Sequence, residues 1–296
     1  MALPTRIIQA CLLCCTSVLL PLTADTALEQ LSYSDQLHYY AEHPSRSEEH
    51  KARNRYRNPV DTLLFFSVEP QHQVLEIWPA RGWYTEILAP FLKGQGQLTI
   101  AHHRQLQLDA DDDRQRFWAR ISRQLSDRIE QQPEHFGAVK QLAFDPPELL
   151  HLGKENQYDR VLSFRNAHLW DQHGMLLQSM QEFFRVLKPG GMLGMVEHRA
   201  SRVSDITSFA AEGYLDEAYI IMVAEAAGFE LLERSEINAN PLDSRDHPRG
   251  VYSLPPTLAM GSEDRERFLA IGESDRMTLK FIKPEYYSPQ PHAIQP

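Results

Sequence analysis

The sequence predicts an α/β fold, a mostly parallel sheet of seven strands with helices on both faces. Three observations predict it. Short apolar, β-branched runs alternate with longer segments whose apolar residues recur every three to four positions, which is the pattern of repeated strand–helix units. The run Val74-Leu75-Glu76-Ile77 breaks at Pro79-Ala80-Arg81-Gly82 and passes directly into Trp83, Ile87, Leu88 and Phe91 at helical spacing. That is a buried strand feeding a helix through a tight loop. Finally, Lys188-Pro189-Gly190-Gly191 separates a helical apolar stripe from the apolar run Met192–Val196.

Taken in order, Met1–Ala24 reads as an export signal, with Arg6 as the positive start and Ile7–Leu22 mostly apolar. Gln9, Thr16, Ser17 and Pro21 interrupt that run, so it is short for a membrane span. Cleavage near Ala24 or Ala27 puts the mature chain in the periplasm without a stable span. The alternatives are a retained anchor, a lipid anchor at Cys15 or an ordinary N-terminus. Residues 25–58 are polar and charged, either a solvated arm or a lid whose Arg46, Arg53 or Arg57 meets an anion. The main domain runs from residue 59 to residue 284, and 285–296 is a tail that frays.

Within that domain, Val60–Val68 is an apolar helix and Gln73–Leu92 is the strand–loop–helix unit. Gln97–Ala101 is a second strand, followed by His102 and His103. Asp111–Gln132 is a helix with Phe117, Ile121, Leu125 and Ile129 on one face, and its leading acids complement the helix dipole. Val139–Phe144 is a third strand ending at Asp145. Tyr158–Phe164 is a fourth, followed by the polar run Arg165-Asn166-Ala167-His168, read as a loop. Leu176, Leu177, Met180, Phe183, Phe184 and Leu187 mark a helix, and Met192–Val196 a strand ending at Glu197 and His198. Residues 201–213 form a loop, Leu215–Ala227 a helix and Phe229–Ile237 a strand. The stretch from Asn238 to Gly261 is irregular, and Arg276–Lys283 is the last strand.

Composition narrows the function. The 296 residues are 42% hydrophobic, enough for a substantial core, and carry a net charge of −10. No basic excess exists to drive binding to nucleic acid. All three cysteines lie within the first fifteen residues, so the folded domain has no thiol, disulfide or cysteine–zinc site. The histidines form no HExxH pair, and no Walker loop or GxSxG elbow is present. No metal site is expected.

The strand–loop–helix unit resembles motif I of class I S-adenosylmethionine-dependent methyltransferases, with Glu76 at the acidic position that ends the first strand. The KPGG turn and the Ala226-Ala227-Gly228-Phe229 run are also similar to segments of that family. The stretches VLEIWPARGWYTEILAP, DRVLSFRNAHLW and DRMTLKFIKP look like those of a bacterial group of exported, predicted methyltransferases. The resemblance covers roughly Pro44 to Pro284. It implies a Rossmann-like fold whose last strand inserts antiparallel, with S-adenosylmethionine as cofactor. It places Glu76, Ala80, Gly82, Trp83, Tyr84, His102, Asp145, Arg165 and Asn166 around that cofactor. Motif I is degenerate: Trp78 and Arg81 stand where small residues are expected, and no acid follows the second strand.

Methyl transfer to oxygen or nitrogen needs alignment and often a base. His168 is the first candidate and His198 the second, each with a structural role as the alternative. Arg165 either holds an anionic substrate or pairs with Glu197. Asn166 either touches ligand or caps the loop, and Asp145 either faces the adenine or starts the turn before Pro146. Trp83 and Tyr84 either close the adenosine pocket or pack helix on sheet. Tyr214, Asp216 and Glu217 fall where substrate specificity usually resides. Two functions follow. One is a methyltransferase acting on an unidentified small molecule or exported substrate; the other is a non-catalytic binding or scaffold protein that has kept the fold and lost the cofactor.

Overall fold

The structure, a computed structural model, describes residues 28, 30–105, 111–200 and 210–286. The expected export segment, the three cysteines, Asp109, most of the expected 201–213 loop and the end of the tail lie outside the described residues. Among the described residues, no helix is long and apolar enough to cross a membrane.

Seven strands form one sheet in the order β3-β2-β1-β4-β5-β7-β6. They are β1 (Gln73–Ile77), β2 (Gln97–His102), β3 (Lys140–Ala143), β4 (Tyr158–Phe164), β5 (Leu187–His198), β6 (Glu230–Ser235) and β7 (Arg276–Ile282). The first five are parallel, and β7 inserts antiparallel between β5 and β6. The fold class and the inverted last strand are as the sequence predicts. One difference lies at the KPGG segment. It belongs to β5 rather than ending a helix as a free turn, because Leu187 already pairs with Tyr158 across a register shift.

Two layers of helix cover the sheet. The N-terminal helices α1 (Tyr33–Ala41), α2 (Glu48–Lys51), α3 (Asn54–Arg57) and α4 (Pro59–Phe65) lie towards one face with α5 (Thr85–Leu92), α6 (Asp113–Gln131) and α7 (Pro133–Phe136). The other face carries α8 (Ala167–Gln172), α9 (Leu176–Val186) and α10 (Glu217–Ala226), and α11 (Arg265–Ile271) precedes β7. Strand side chains alternate between the layers. Val74, Ile100, Leu162 and Val196 enter the core under α5, while Leu75, Ala101, Val161 and Met195 enter the core under α9. Glu76, two residues after Val74, therefore points under α5 at the point where that helix begins.

Several polar residues serve the helices themselves. Asp112 caps α6, its Oδ1 accepting from the Arg114 and Gln115 amides at 2.7 and 3.0 Å, so the acids there complement the helix start as expected. Asp216 caps α10 in the same way, Glu217 pairs with Arg199 and Arg234, and the Tyr214 hydroxyl donates to Asp243. None of these three lines the large cavity at the sheet edge.

The segment before residue 58 is only partly solvated. Arg46 and Arg57 are buried. Arg46 Nε, His50 Nδ1 and Arg128 Nη1 converge on Glu86 at 3.2, 2.9 and 2.7 Å. Burial alone would raise the Glu86 carboxyl pKa, but His50, Arg128 and Arg46 override it and hold it low. Removing this carboxylate strands a buried guanidinium. Glu86→Ala is expected to cost about 3–5 kcal/mol in urea unfolding; a loss below about 1 kcal/mol would mean that the arm is held by its apolar contacts alone.

Candidate functional site

The carboxyl ends of β1, β4 and β5 share one sheet edge with the start of β7, because the antiparallel β7 pairs Arg276 with His198. A cavity of about 860 Å³ opens there, within the size range of small-molecule sites. In an open α/β sheet, ligands bind outside the carboxyl ends of the strands. The sides of the cavity come from the β1–α5 loop, the β4–α8 junction and the N-terminal helices.

The β1–α5 loop turns sharply. Trp78, Ala80 and Gly82 take left-handed φ values of +45, +51 and +77°. Two of the three are not glycine, and such positions persist only where their surroundings fix them. Trp78 Nε1 donates to the Phe144 carbonyl at 2.7 Å, and its ring stacks on His103 at 4.0 Å. The indole thus covers the corner beyond β2 and β3. Gly82 serves packing: a Cβ there would sit 2.5 Å from Leu125 Cδ1 and 2.9 Å from Arg128 Nη2. The glycine admits α6 rather than a ligand.

Glu76 is 1% exposed and forms no ion pair among the described residues. Its Oε2 accepts from Thr85 Oγ1 at 2.6 Å. Burial pushes its pKa up to about 8 and the nearby Glu86 adds to this, against the Thr85 hydrogen bond. It is a buried acid in the cavity side with no cation.

Trp83 and Tyr84 anchor the arm. Trp83 Nε1 donates to the His50 carbonyl at 2.9 Å and Tyr84 Oη to the Arg57 carbonyl at 3.1 Å. The guanidiniums of Arg46 and Arg57 lie 4.9 and 4.8 Å from the Trp83 ring, and Tyr84 stacks on Phe164 at 3.7 Å. Both residues line the cavity while their polar ends hold α2 and α3 across it.

At the end of β4, residues 167–172 form the short helix α8 rather than the expected loop. Its start is fixed by Glu197, which is fully buried. Glu197 Oε2 accepts from the Ala167 and His168 amides at 2.6 and 3.3 Å. Oε1 accepts from His168 Nδ1 at 3.0 Å and from the His198 amide at 2.8 Å. An acceptor-only carboxylate matches four donors. His168 therefore carries its proton on Nδ1, leaving the Nε2 lone pair unassigned to Glu197. The expected pairing of Arg165 with Glu197 does not occur; His168 takes that carboxylate. Arg165 has a left-handed φ of +64° and lines the cavity. Asn166 Nδ2 donates to the Ile77 carbonyl at 2.9 Å, tying the ends of β4 and β1 together.

His168, Glu197 and His198 bring one ligand atom each within 4.8 Å of one another, a grouping the sequence spacing hides. The arrangement works as a hydrogen-bonded dyad with a neighbour. Both Glu197 oxygens are engaged by N–H donors. His198 is pressed well below its ordinary pKa by burial first, then by His168, Arg165, Arg276 and Arg57. Three guanidiniums disfavour a cation at this spot.

Of the residues the sequence singles out, Glu76, Ala80, Trp83, Tyr84, Arg165, Asn166, His168 and His198 line the cavity. Gly82, His102 and Asp145 do not, which corrects their expected place beside a ligand. His102 is buried against the His103 carbonyl at 3.2 Å. Asp145 pairs with His103 and Arg104 at 3.3 and 3.0 Å. The sequence reading missed Glu273 and Ser274, which enter the cavity from just before β7. The polar run Glu273-Ser274-Asp275-Arg276 was the available signal: an antiparallel last strand begins at the ligand edge.

No sequence model of a known family matches the chain, and no curated protein matches it either. Solved structures do. A putative sarcosine dimethylglycine methyltransferase from Galdieria sulphuraria is 14% identical, with a TM-score of 0.53 over 86% of this chain and 99% of that one. The [4+2]-cyclase SpnF is 16% identical, with a TM-score of 0.53 over 83% of this chain and 86% of its own. A putative methyltransferase in complex with a methyltransferase activator from Haloferax volcanii is 14% identical, with a TM-score of 0.52 over 87% and 100%. The chain has the class I methyltransferase fold.

Proposed function

We propose that this protein is an S-adenosylmethionine-dependent methyltransferase acting on a small molecule. The observation that carries the reading is Glu76, an uncompensated buried acid in the wall of the cavity at the carboxyl edge of β1. The cofactor has sulfonium and ammonium cations, and a carboxylate denied any protein cation suits them. The cavity volume of about 860 Å³ leaves room for a nucleoside and an acceptor despite Trp78 and Arg81. The fold relatives titled methyltransferases agree with this reading.

Bound S-adenosylmethionine supplies an electrophilic methyl group. The residues of this chain supply the rest. Glu76 holds positive charge at the end of β1. The rings of Trp83 and Tyr84 and the arm they anchor close the cavity and exclude water. His168 Nε2 takes the acceptor's proton while Glu197 holds Nδ1–H and steadies the ring as it becomes positive. His198, kept neutral, adds no competing charge.

A second reading, a binding protein that keeps the fold without the cofactor, rests on Trp78 covering the corner beyond β2 and β3. The cyclase among the fold relatives shows that this fold serves other reactions. Calorimetric titration with S-adenosylhomocysteine separates the two. The first reading predicts saturable binding in the micromolar range that Glu76→Ala weakens at least tenfold. Absence of heat from a protein folded by circular dichroism would favour the second.

A further inference from the structure

We propose that the methyl acceptor carries an oxyanion, a carboxylate or phosphate, held by Arg165 with help from Arg57 and Arg53; this rests on the methyltransferase reading above. Arg165 leaves the end of β4 with left-handed φ and lines the cavity. Among the described residues its guanidinium has no hydrogen-bond or ion-pair partner, so its donors face the cavity without an acceptor. Three further guanidiniums surround it, and one carboxylate serves them. Glu273 accepts from Arg53 Nε at 2.6 Å, Arg57 Nε at 3.0 Å and Arg276 Nη1 at 3.2 Å. Arg276 is completed by the Ser274 and Tyr56 carbonyls. Arg53 Nη2 is buried with no partner, and Arg57 spends only Nε on Glu273.

Four guanidiniums around one carboxylate leave a local positive excess in a chain whose overall charge is −10. Burial would raise the Glu273 carboxyl pKa, yet Arg57, Arg276, Arg53 and Arg165 hold it well below the usual range, so this single carboxylate is shared among four guanidiniums. Burial, with Arg276 and Arg53 and against Glu273, presses Arg165 down to about 10, which still leaves it charged at neutral pH. Such a centre is completed by an anion, and planar forks of donors suit carboxylate and phosphate. Its position identifies which molecule brings the anion. The cluster lies at the ends of β4 and β5 and the start of β7, beside His168 and His198, while the buried acid Glu76 lies at β1. Cofactor cations and acceptor anion are thereby assigned to different strand ends of one cavity, with the base on the acceptor's strands.

The test is calorimetry with inorganic phosphate and, separately, with S-adenosylhomocysteine, on the wild type and on Arg165→Gln. The expected result is saturable phosphate binding that Arg165→Gln weakens at least tenfold, with phosphate and S-adenosylhomocysteine bound together and the latter's affinity changed less than twofold. The variant should melt at the same or a higher temperature, because it relieves repulsion among the clustered arginines; a structural arginine would lower it. Loss of both affinities together, with phosphate competing against S-adenosylhomocysteine, would overturn the proposal by making this the cofactor's own carboxylate site. No phosphate binding by the folded wild type would also overturn it. Phosphate binding that needs Arg165, with no S-adenosylhomocysteine binding, would keep the anion site and remove the methyltransferase reading.

Discussion

S-Adenosylmethionine binding at pH 7 is expected to expel close to one proton, from Glu76. The acid is raised to about 8 by burial in the free protein, so it is mostly protonated at pH 7. A cation placed against it favours the carboxylate and drives the proton out. Affinity should therefore rise close to tenfold per pH unit between about 6 and 8 and level off above. Calorimetry in buffers of different ionisation enthalpy reads the proton directly, and Glu76→Gln should abolish both the release and the slope. The same group links pH to stability. Its folded pKa lies above the unfolded value of 4.5, so the folded state holds a proton that the unfolded chain gives up. Stability falls as pH rises from about 4.5 to about 8 and is flat beyond. Each unit is worth about 1.4 kcal/mol, so the window amounts to a few kcal/mol. Glu76→Gln should remove that slope in urea unfolding; an unchanged slope would place the titrating group elsewhere.

His168→Ala should lower the methyl-transfer rate by about 10²–10⁴-fold, the usual contribution of a positioned base. The assay is release of S-adenosylhomocysteine with a mixture of small organic acids and phosphate esters as acceptors. Cofactor affinity should stay within twofold. The substitution leaves three of the four donors on Glu197, namely the amides of Ala167, His168 and His198, so the fold should persist. A large fall in melting temperature with no specific loss of rate would make His168 a structural residue. Glu197→Gln should damage more than chemistry, because an amide nitrogen cannot accept from the donors that converge on it.

The sheet was legible because its central parallel strands are buried on both faces, so runs such as Val161-Leu162 and Leu193 to Val196 stand out whatever lies around them. Glu76 was legible through the resemblance to motif I, in which an acid ends the first strand. The dyad was not. His168 and Glu197 lie 29 residues apart, on neighbouring strand ends that only the register of β4 on β5 brings level. Charge alone suggested Arg165 as the partner of Glu197. Arg165 instead has a left-handed φ, invisible in composition, and lines the cavity without a salt-bridge partner among the described residues. The placement of His102 and Asp145 failed because it came from strand ends generically, whereas Trp78 occupies that corner here. For Arg53 and Arg57 the sequence left two readings, charges on a solvated arm or anion-binding residues of a lid. Burial of the arm on Trp83 and Tyr84 brings both into the cavity, and the local sequence alone does not choose between the two readings.

The central claim is that the cavity between Glu76 and Arg165 receives the nucleoside cofactor. The most direct measurement is a crystal structure of the protein grown with S-adenosylhomocysteine. The account predicts nucleoside density in that cavity, its ammonium within hydrogen-bond reach of Glu76 and its carboxylate clear of Arg165. A well-ordered structure with Trp78 in its present place and the cavity holding only water, or with the ligand on another face of the sheet, would contradict it.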